Sequence, residues 1–535
     1  MKHSKKKWST LTALLLSLAL VLSACAGGNN GGGNTNTPES SNTGASSNAG
    51  KDEPAQEEPI EIVWANNFNS PEADGNYVQT EIEKKFNVKI TNIKLERWGW
   101  KEQFSVYLAS NEIPDIFPID ANETDMATWA QQGIIASLDR AEIEANMPNY
   151  AAAVNEFDPG AWQVGMIDGK NWGIPKYWPP GNDGFIPGYN KAWLENIGYS
   201  EPPKTLEEFE DVLTKFTKND PDKNGKNDTY GMSARGKLPI QMFTSIFSAH
   251  AVNPYQFKLD AEGKVTWGAI TEETRTALKL LSKWYNDKLI DPEFITNDNG
   301  QISEKFANQK IGVVDNAGWG NFNPESGYVT KPALELGQIN TPGKPLIGPN
   351  GDAFAFAYGA RQAPVLLGKQ VEEDEKKRKK IYEILDWVAT SDEGWLLTVK
   401  GQEGVSYDMV DGFPVGRPDE SVGAPKMGYG SFYNPLTHVD VSKQKYNISP
   451  EMMELRDQIT PGIVPLLDVL GPTHMESKTQ YWANLLTLQD TYIIKAVTGE
   501  ANTDKDFDKF KTDWLRSGGQ AILDEANKIY QERNQ

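Results

Sequence analysis

The chain has 535 residues and a formal net charge of −21 at pH 7, from 53 Lys and Arg against 74 Asp and Glu. Such a polyanion repels phosphate backbones and anionic lipid surfaces, which argues against nucleic acid as a partner and against membrane binding through charge. A single cysteine excludes an internal disulfide, and four scattered histidines argue against a zinc site. The hydrophobic content of 38% and the length predict two domains or more.

Residues 1–24 have the pattern of a secretory signal peptide. The basic stretch MKHSKKKW precedes LTALLLSLALVL, an apolar run that is short for a membrane span. The run ends in LSAC, which resembles the bacterial lipobox and contains the only cysteine. In lipoproteins of this kind the signal is removed before the cysteine, so Cys25 is the predicted attachment site of an acyl chain such as palmitate. The alternative is an ordinary signal peptide with an incidental cysteine.

Residues 25–58 predict a flexible tether. They are rich in Gly, Asn, Ser and Thr and contain almost no apolar side chains. Such a segment cannot bury enough surface to fold. A lipid, a tether and a globular body together predict a protein held at the outer face of a membrane.

Strands and helices alternate in the body that begins at residue 59. PIEIVWANN alternates like a strand, YVQTEIEKKF predicts a helix, and residues 88–95 predict a second strand. WKEQFSVYLAS and NEIPDIFPID repeat the unit as a helix and a short strand. This order predicts a parallel α/β sheet.

Later segments continue the α/β pattern. TLEEFEDVLTKF predicts a helix that starts with a capping box, Thr205 with Glu208. KIGVVDNAGWG predicts a buried strand that runs into a loop, and the last third of the chain is mostly helical. The sequence contains no internal repeat and no heptad run.

The stretch NDPDKNGKNDTYG resembles a calcium loop of the EF-hand type. Such loops supply oxygen ligands from positions 1, 3, 5, 7 and 9 and have glycine at position 6. Counting from Asp220 places Gly225 at position 6, but Gly231 replaces the bidentate Glu of position 12. The predicted ligands are Asp220, Asp222, Asn224, the carbonyl group of Lys226, and Asp228.

The end of this loop indicates what the calcium would do. TYGM predicts a strand, so the loop has no second helix that could move as a switch. We therefore predict a structural calcium ion, with a further ligand from elsewhere in the chain or from water. The alternative is an Asn/Asp turn that binds no metal.

Six stretches in series resemble the extracellular solute-binding proteins of family 1, and in particular the large lipoproteins of Gram-positive carbohydrate importers. The resemblance covers the body almost end to end. The stretches are LASNEIPDIFPID, DGKNWGIP, YNKAWLENIGYSEPPKTLEEFEDVLTKF, DPDKNGKNDTYG, KWYNDKLIDPEF and GQEGVSYDMVDG.

The resemblance implies a two-lobed periplasmic-binding-protein fold of type 2, with each lobe α/β and a ligand in the cleft between them. It assigns residues 59–185 to lobe 1, with about 318–375 returning to it. It assigns 186–317 to lobe 2, with about 376–535 returning to it. It also implies a monomer without catalytic activity, anchored at the extracellular face of a Gram-positive cell membrane, that delivers an oligosaccharide to ABC permease subunits. Similar loops in the family hold a structural calcium ion.

A saccharide site needs a stacking ring and hydrogen-bonding groups, and in this fold the cleft is lined by loops that follow strands. The candidate ligand-binding residues are Trp64, Asn66, Asn67, Trp98, Asp120, Trp319 and Tyr407. A core position is the alternative for each Trp, and helical spacing among apolar residues assigns Trp193, Trp284 and Trp387 to the core. The candidate cleft loops contain few Arg, which favours a neutral oligosaccharide.

Two other functions remain open at this point. A membrane-anchored glycosidase would need two carboxylates about 5–10 Å apart, and no stretch singles out such a pair. A surface sensor or adhesin lipoprotein without a transporter would be distinguished by the absence of a neighbouring permease gene pair. The P-loop pattern GxxxxGK followed by Ser or Thr does not occur, so the chain is not the transporter ATPase.

Overall fold

The computed structural model describes residues 57–97, 99–417, 423–438 and 441–534. The predicted signal peptide, Cys25, nearly all of the tether, and Trp98 lie outside these residues. Within the described residues, no helix combines the length and the apolar character needed to cross a membrane.

The first of two main sheets has five strands. Their spatial order is Val88–Lys94, Ile60–Asn66, Ile116–Phe117, Arg361–Leu367 and Ile174–Tyr177. The first three strands run parallel, as predicted, and Arg361–Leu367 is antiparallel to both of its neighbours. Alternate side chains of strand Ile60–Asn66 enter two different cores. Ile62 and Trp64 lie on one face of the sheet, and Val63 and Ala65 lie on the other. Both faces of the sheet are therefore covered at this strand, which explains why residues 62–65 are all apolar.

The second main sheet has four strands. Their spatial order is Asn340–Pro342, Ile186–Asn190, Ile311–Ala317 and Tyr230–Ser233. Ile311–Ala317 is parallel to Tyr230–Ser233 and antiparallel to Ile186–Asn190. Helix Leu206–Lys218 covers this sheet with Phe209, Val212, Leu213 and Phe216, all fully buried.

The remaining elements surround the two sheets. The other helices up to residue 286 are Tyr77–Phe86, Trp100–Ala109, Glu123–Gln131, Arg140–Asn146, Pro148–Phe157, Lys191–Asn196, Thr244–Ala249 and Glu272–Asn286. The later helices are Asn299–Ala307, Thr330–Glu335, Gln370–Glu373, Glu375–Thr390, Asp392–Lys400, Ala424–Met427, Gln444–Asn447, Pro450–Ile459, Glu476–Thr498, Thr503–Trp514 and Gln520–Arg533. Two-stranded pairs are Met166–Ile167 with Lys170–Asn171, Phe257–Leu259 with Val265–Trp267, Phe354–Phe356 with Val464–Leu466, and Tyr407–Val410 with Phe413–Gly416.

The structure is therefore two-lobed, with one main sheet and its own cores in each lobe. The chain passes between the lobes through three crossing segments, residues 178–185, 343–360 and 448–469. These segments are hydrogen-bonded to one another: Trp178 donates its N–H to the carbonyl of Ala360 at 2.7 Å, and Ala357 donates to Leu466 at 3.1 Å. A Cβ on Gly181 would lie 2.1 Å from the carbonyl oxygen of Gly359, so this close approach requires glycine.

Segments of both returning ranges lie in the opposite lobe from the predicted one, and two of them illustrate this. Strand Asn340–Pro342 was expected in lobe 1 but pairs with Ile186–Asn190 of the second sheet. Helix Glu375–Thr390 was expected in lobe 2 but buries Ile381, Tyr382 and Leu385 in the first core. Apolar periodicity identifies a helix but does not say which sheet it covers. The exact lobe boundaries stay a prediction.

Candidate ligand-binding site

A cleft opens where the crossing segments run between the two sheets. A cavity of 790 Å³ borders the first sheet, and a cavity of 470 Å³ borders the second. Trp178, Tyr358 and His438 line both cavities, so the two form one continuous cleft. Each cavity has the size of a small-molecule site, which is about 300–1,000 Å³.

Exposed aromatic rings form the middle of the cleft. The side chain of Trp178 is 36% exposed and that of Tyr358 is 41% exposed, although both are large apolar groups. Phe185 also lines the cleft and stacks on Phe356 at 5.5 Å between ring centroids. Such rings present flat apolar faces to a ligand while a polar edge stays hydrated.

A hydrogen-bonded chain holds Tyr358 in place. Arg235 donates from Nη1 to Oε1 of Gln241 at 2.7 Å, and Gln241 donates to the Tyr358 hydroxyl. Burial lowers the pKa of Arg235 to about 10, while Asp315 opposes that shift. The guanidinium of Arg235 therefore stays charged at neutral pH and anchors the hydrogen bonds that hold Gln241 and Tyr358.

Charged groups gather at the end of the cleft near the first sheet. Arg97 forms an ion pair with Asp120 and lies 3.9 Å above the centroid of the Phe68 ring. Lys176 Nζ lies 4.9 Å from the centroid of the same ring. Burial lowers the pKa of Lys176, Asp120 acts to raise it, and Arg97 lowers it further.

The end near the second sheet is organised around Asp183. Its carboxylate accepts hydrogen bonds from Trp319 Nε1 at 2.7 Å and from both Nε and Nη2 of Arg456 at 3.1 and 2.9 Å. The Asp183 carboxylate raises the pKa of Arg456. This bidentate pair fixes the orientation of the Trp319 ring against the cleft.

His438 lies where the two cavities meet. Asn447 donates to Nε2 at 3.2 Å, so Nδ1 carries the proton and donates to the Thr437 hydroxyl at 2.7 Å. Burial, together with the nearby Lys176 ammonium, lowers the pKa of His438 to about 4. The imidazole is therefore neutral at physiological pH.

Three of the predicted ligand-binding residues line the cleft: Asn66, Asp120 and Trp319. Asn66 is almost fully buried, because its amide donates to the Phe432 carbonyl at 2.9 Å and accepts from the N–H of Phe68 at 3.1 Å. Its main role in this arrangement is to shape the backbone beside the cleft.

Three other predicted ligand-binding residues lie away from the cleft. Trp64 is fully buried in the first core, because strand alternation turns it to the same face as Ile62, and its Nε1 donates to the Phe432 carbonyl at 3.0 Å. Tyr407 is buried at the start of a hairpin, and Asn67 is buried without lining either cavity. By contrast, the core assignment of Trp193 and Trp284 is confirmed, since both are fully buried, and Trp387 packs against the first core while partly buried.

Sequence reasoning missed several cleft residues. They are Phe68, Arg97, Lys176, Trp178, Tyr358 and His438. Trp178 had a detectable signal, since it follows directly on a strand and precedes two prolines. The preference for a neutral ligand rested on few Arg in the candidate loops. That premise left out Arg97, which adjoins the candidate Trp98, and Lys176, which lies on a strand without candidates; both line the cleft.

The predicted calcium loop is exposed and lies outside the cleft lining. Asp220 folds the loop by accepting N–H groups from Asn224 and Gly225, both at 3.0 Å. Gly225 adopts a φ of 76°, as a sharp turn at position 6 requires. The strand Tyr230–Ser233 follows the loop directly, which confirms that no helix follows it.

The donor set of the loop fits a hard cation. Burial and the neighbouring Asp220 carboxylate raise the pKa of Asp222, and the Oδ1 atom of Asp222 is buried without a hydrogen-bond partner among the described residues. Asn224 donates to Asp222 at 2.7 Å and to Asp228 at 3.1 Å, and Lys310 pairs with Asp228 at 2.7 Å. Across the described ranges, no three His, Cys, Asp or Glu side chains are already arranged around one point for a metal. Binding would therefore require the loop side chains to turn inward.

Comparison with known proteins gives one family and several relatives. The model of a family described as bacterial extracellular solute-binding proteins matches residues 79–358. The chain is 24% identical over 533 residues to the polygalacturonan/rhamnogalacturonan-binding protein YtcQ of Bacillus subtilis, covering 98% of this chain and 99% of that one. It is also 24% identical over 450 residues to lipoprotein LipO of the same species, covering 81% and 84%.

A solved structure shows the same fold. The ABC-transporter substrate-binding protein FusA of Streptococcus pneumoniae, in an EF-hand mutant bound to fructo-nystose, superposes with a TM-score of 0.68 at 18% identity. The match covers 89% of this chain and 99% of that one. At this identity the likeness establishes the two-lobed fold.

Proposed function

The chain belongs to the bacterial extracellular solute-binding proteins, and we propose that it captures an oligosaccharide in the cleft between its lobes for import through an ABC permease. The observation that carries the proposal is the cleft itself. Its exposed rings, Trp178 and Tyr358, lie on the crossing segments, where movement of the lobes would close over a bound ligand. The relatives named for polygalacturonan and for a fructo-oligosaccharide complex support a saccharide ligand.

Binding without turnover fits the carboxylates of the cleft. Asp120 is paired with Arg97, and Asp183 accepts two hydrogen bonds from Arg456. A glycosidase needs one carboxyl group that is free to deliver a proton to the scissile bond, whereas these two carboxylates are already bound by guanidinium groups. Glu123 is the third carboxylate that lines the cleft. The glycosidase is the alternative that the experiment below tests.

The proposed location is the extracellular face of the cell membrane, through a lipid on Cys25 and the tether of residues 25–58. The family description and the lipoprotein relative support this. The proposed partners are the permease subunits and the saccharide, with the protein acting as a monomer. A sensor or adhesin lipoprotein remains the alternative if no permease is encoded nearby.

A structural calcium ion in the loop of residues 220–231 is part of the proposal. Asp220, Asp222, Asn224, the Lys226 carbonyl and Asp228 would hold it. The unpartnered Oδ1 atom of Asp222 and the raised pKa of that carboxyl are the features that a cation would relieve. The ion would neutralise the clustered carboxylates and stabilise the turn.

Calorimetric titration with oligosaccharides tests the proposed function. We expect saturable binding, recovery of the sugar unshortened after long incubation, and a change in tryptophan fluorescence. Trp178→Ala removes a stacking face and should weaken binding about tenfold or more. Phe157→Ala is the matched control, since Phe157 is 39% exposed and lies outside the cleft. Shortened products on sugar chromatography would contradict the proposed binding function and would favour a glycosidase.

A further inference from the structure

We propose that the cleft selects an anionic saccharide, with the Lys176 ammonium binding a carboxylate of a uronic acid unit. This inference rests on the proposed function and concerns the same cleft. The observation behind it is a cation inside the cleft, Lys176, that forms no ion pair with a carboxylate among the residues that the structure describes.

Lys176 is placed in the cleft by a strand of the first sheet. It lies in Ile174–Tyr177, opposite Gln362 of the neighbouring strand, and both side chains line the larger cavity. It is partly buried, and its ammonium lies against the Phe68 ring rather than in open solvent. Trp178 follows two residues later, so the cation lies close along the chain to an exposed stacking ring.

Lys176 and the two charged groups that act on it, Arg97 and Asp120, together carry one positive charge in excess. Two cations, Arg97 and Lys176, share a single carboxylate, Asp120, which is ion-paired with Arg97. No carboxylate in the described part of the chain lies within 4.0 Å of Lys176 Nζ. Glu123 lines the same cavity but is not among the charges that act on Lys176. His438, whose pKa is lowered to about 4 by burial and by Lys176, is neutral at physiological pH and adds no charge.

An anionic ligand would compensate this charge. A desolvated ammonium without a counter-ion is unfavourable, as its lowered pKa indicates. A sugar carboxylate would accept a charge-assisted hydrogen bond from Lys176, with Arg97 adding to the attraction, while the sugar ring lies against an aromatic face. A neutral hydroxyl can also accept from Lys176 but leaves the charge unbalanced. The excess of one unit matches one carboxylate at this position.

The test compares oligosaccharides that differ only in charge. Oligogalacturonides, oligomannuronides and oligoglucuronides of two to four units are each titrated against the purified protein beside their methyl esters. We expect one free acid to bind about tenfold or more tightly than its ester, and its affinity to fall with added salt. Lys176→Gln should abolish most of that preference, and Lys176→Arg should retain it. Lys170→Gln is the control, because Lys170 is exposed and outside the cleft.

The outcomes separate this inference from the proposed function. An ester that binds as tightly as its acid, or an acid preference that survives Lys176→Gln, overturns the inference while saccharide binding stands. If neutral fructo-, malto- or xylo-oligosaccharides bind and no acidic oligosaccharide does, the inference is likewise overturned while saccharide binding stands. If no acidic or neutral oligosaccharide binds, the proposed function fails and the inference fails with it. The comparison of acid with ester uses the wild-type protein, so it does not depend on whether a variant folds.

Discussion

His438 shows how one partly buried side chain makes the protein sensitive to acid. Its ring is hydrogen-bonded on both nitrogens, to Thr437 and Asn447, and its pKa of about 4 lies below the usual 6.5. Protonation would bring a second positive charge next to Lys176 and would remove the acceptor that binds Asn447. The folded protein therefore keeps this histidine neutral well below neutral pH.

We predict that His438 lowers stability as the pH falls from about 6.5 towards 4. The pKa is lower in the folded than in the unfolded state, so acid protonates the unfolded chain first and favours unfolding. The stabilisation is fully present above pH 6.5 and is lost as the pH falls through the folded pKa, at most about 3 kcal/mol. Urea denaturation between pH 7 and 4 should show a shallower decline for His438→Gln than for wild type.

His474→Gln is the control for this measurement, since His474 lies outside the cleft. It should retain the wild-type decline. Equal declines in wild type and His438→Gln would contradict the prediction.

The calcium loop is an element that holds its shape through its own hydrogen bonds. Asp220 ties the turn to two backbone N–H groups, whereas Asp222 keeps an unpartnered carboxylate oxygen. The loop joins helix Leu206–Lys218 to strand Tyr230–Ser233, and both elements pack into the second lobe. A cation bound here would stabilise that lobe without contacting the cleft.

We predict that calcium raises the melting temperature and that Asp222→Ala loses most of this response. The gain follows RT ln(1 + [L]/Kd), about 2.7 kcal/mol at a hundredfold excess of calcium over Kd. Asp222 is the better variant than Asp220 because the Asp220 carboxylate accepts the Asn224 and Gly225 N–H groups that fold the turn. Thermal melts with calcium and with chelator measure the effect. Glu262→Ala, an exposed acid in another turn, should respond like wild type.

Saccharide affinity distinguishes a structural ion from a regulator. A structural ion binds both lobe arrangements equally, so titration of the sugar with and without calcium should give nearly the same affinity. A change of tenfold or more, about 1.4 kcal/mol of coupling, would make calcium a regulator.

Across the whole molecule, the crossing segments determine where a ligand is held. They connect the lobes through a small set of backbone hydrogen bonds and a glycine contact, Gly181 against Gly359. All three segments lead past the cleft, so a ligand in contact with Trp178 and Trp319 touches both lobes. Capture and any movement of the lobes are thereby coupled.

Transport also requires that the protein remain at the membrane, and we predict that Cys25→Ala abolishes its lipid anchor. Cys25 is the only cysteine and ends the LSAC tetrapeptide, so no other thiol can replace it. Cells labelled with palmitate should incorporate label into the wild type and into Ser46→Ala, a control within the tether. The Cys25→Ala protein should be uncleaved or shed. Labelling of that variant at the wild-type level would contradict the prediction.

Helix bounds, strand bounds and helix caps depend on residues that are close in sequence, and these features were predictable from the sequence. Helix Tyr77–Phe86 has the predicted bounds, and strand Val88–Lys94 is one residue shorter than predicted. The capping box of Thr205 and Glu208 is confirmed, with both of its hydrogen bonds present. Caps and hydrophobic periodicity act over a few residues, so a linear pattern contains them in full.

The composition of the cleft was not predictable in the same way. Trp64 lies in the second half of strand Ile60–Asn66 and Trp178 directly follows strand Ile174–Tyr177, yet Trp64 is fully buried and Trp178 is exposed in the cleft. Trp64 is covered by groups that arrive much later in the chain, such as Phe432. The meeting of Arg97, Lys176 and Phe68 likewise depends on sheet pairing between distant segments. Short-range patterns in the sequence therefore predicted a secretion signal and the α/β elements, whereas burial and charge balance, which arise from long-range contacts, determined the site.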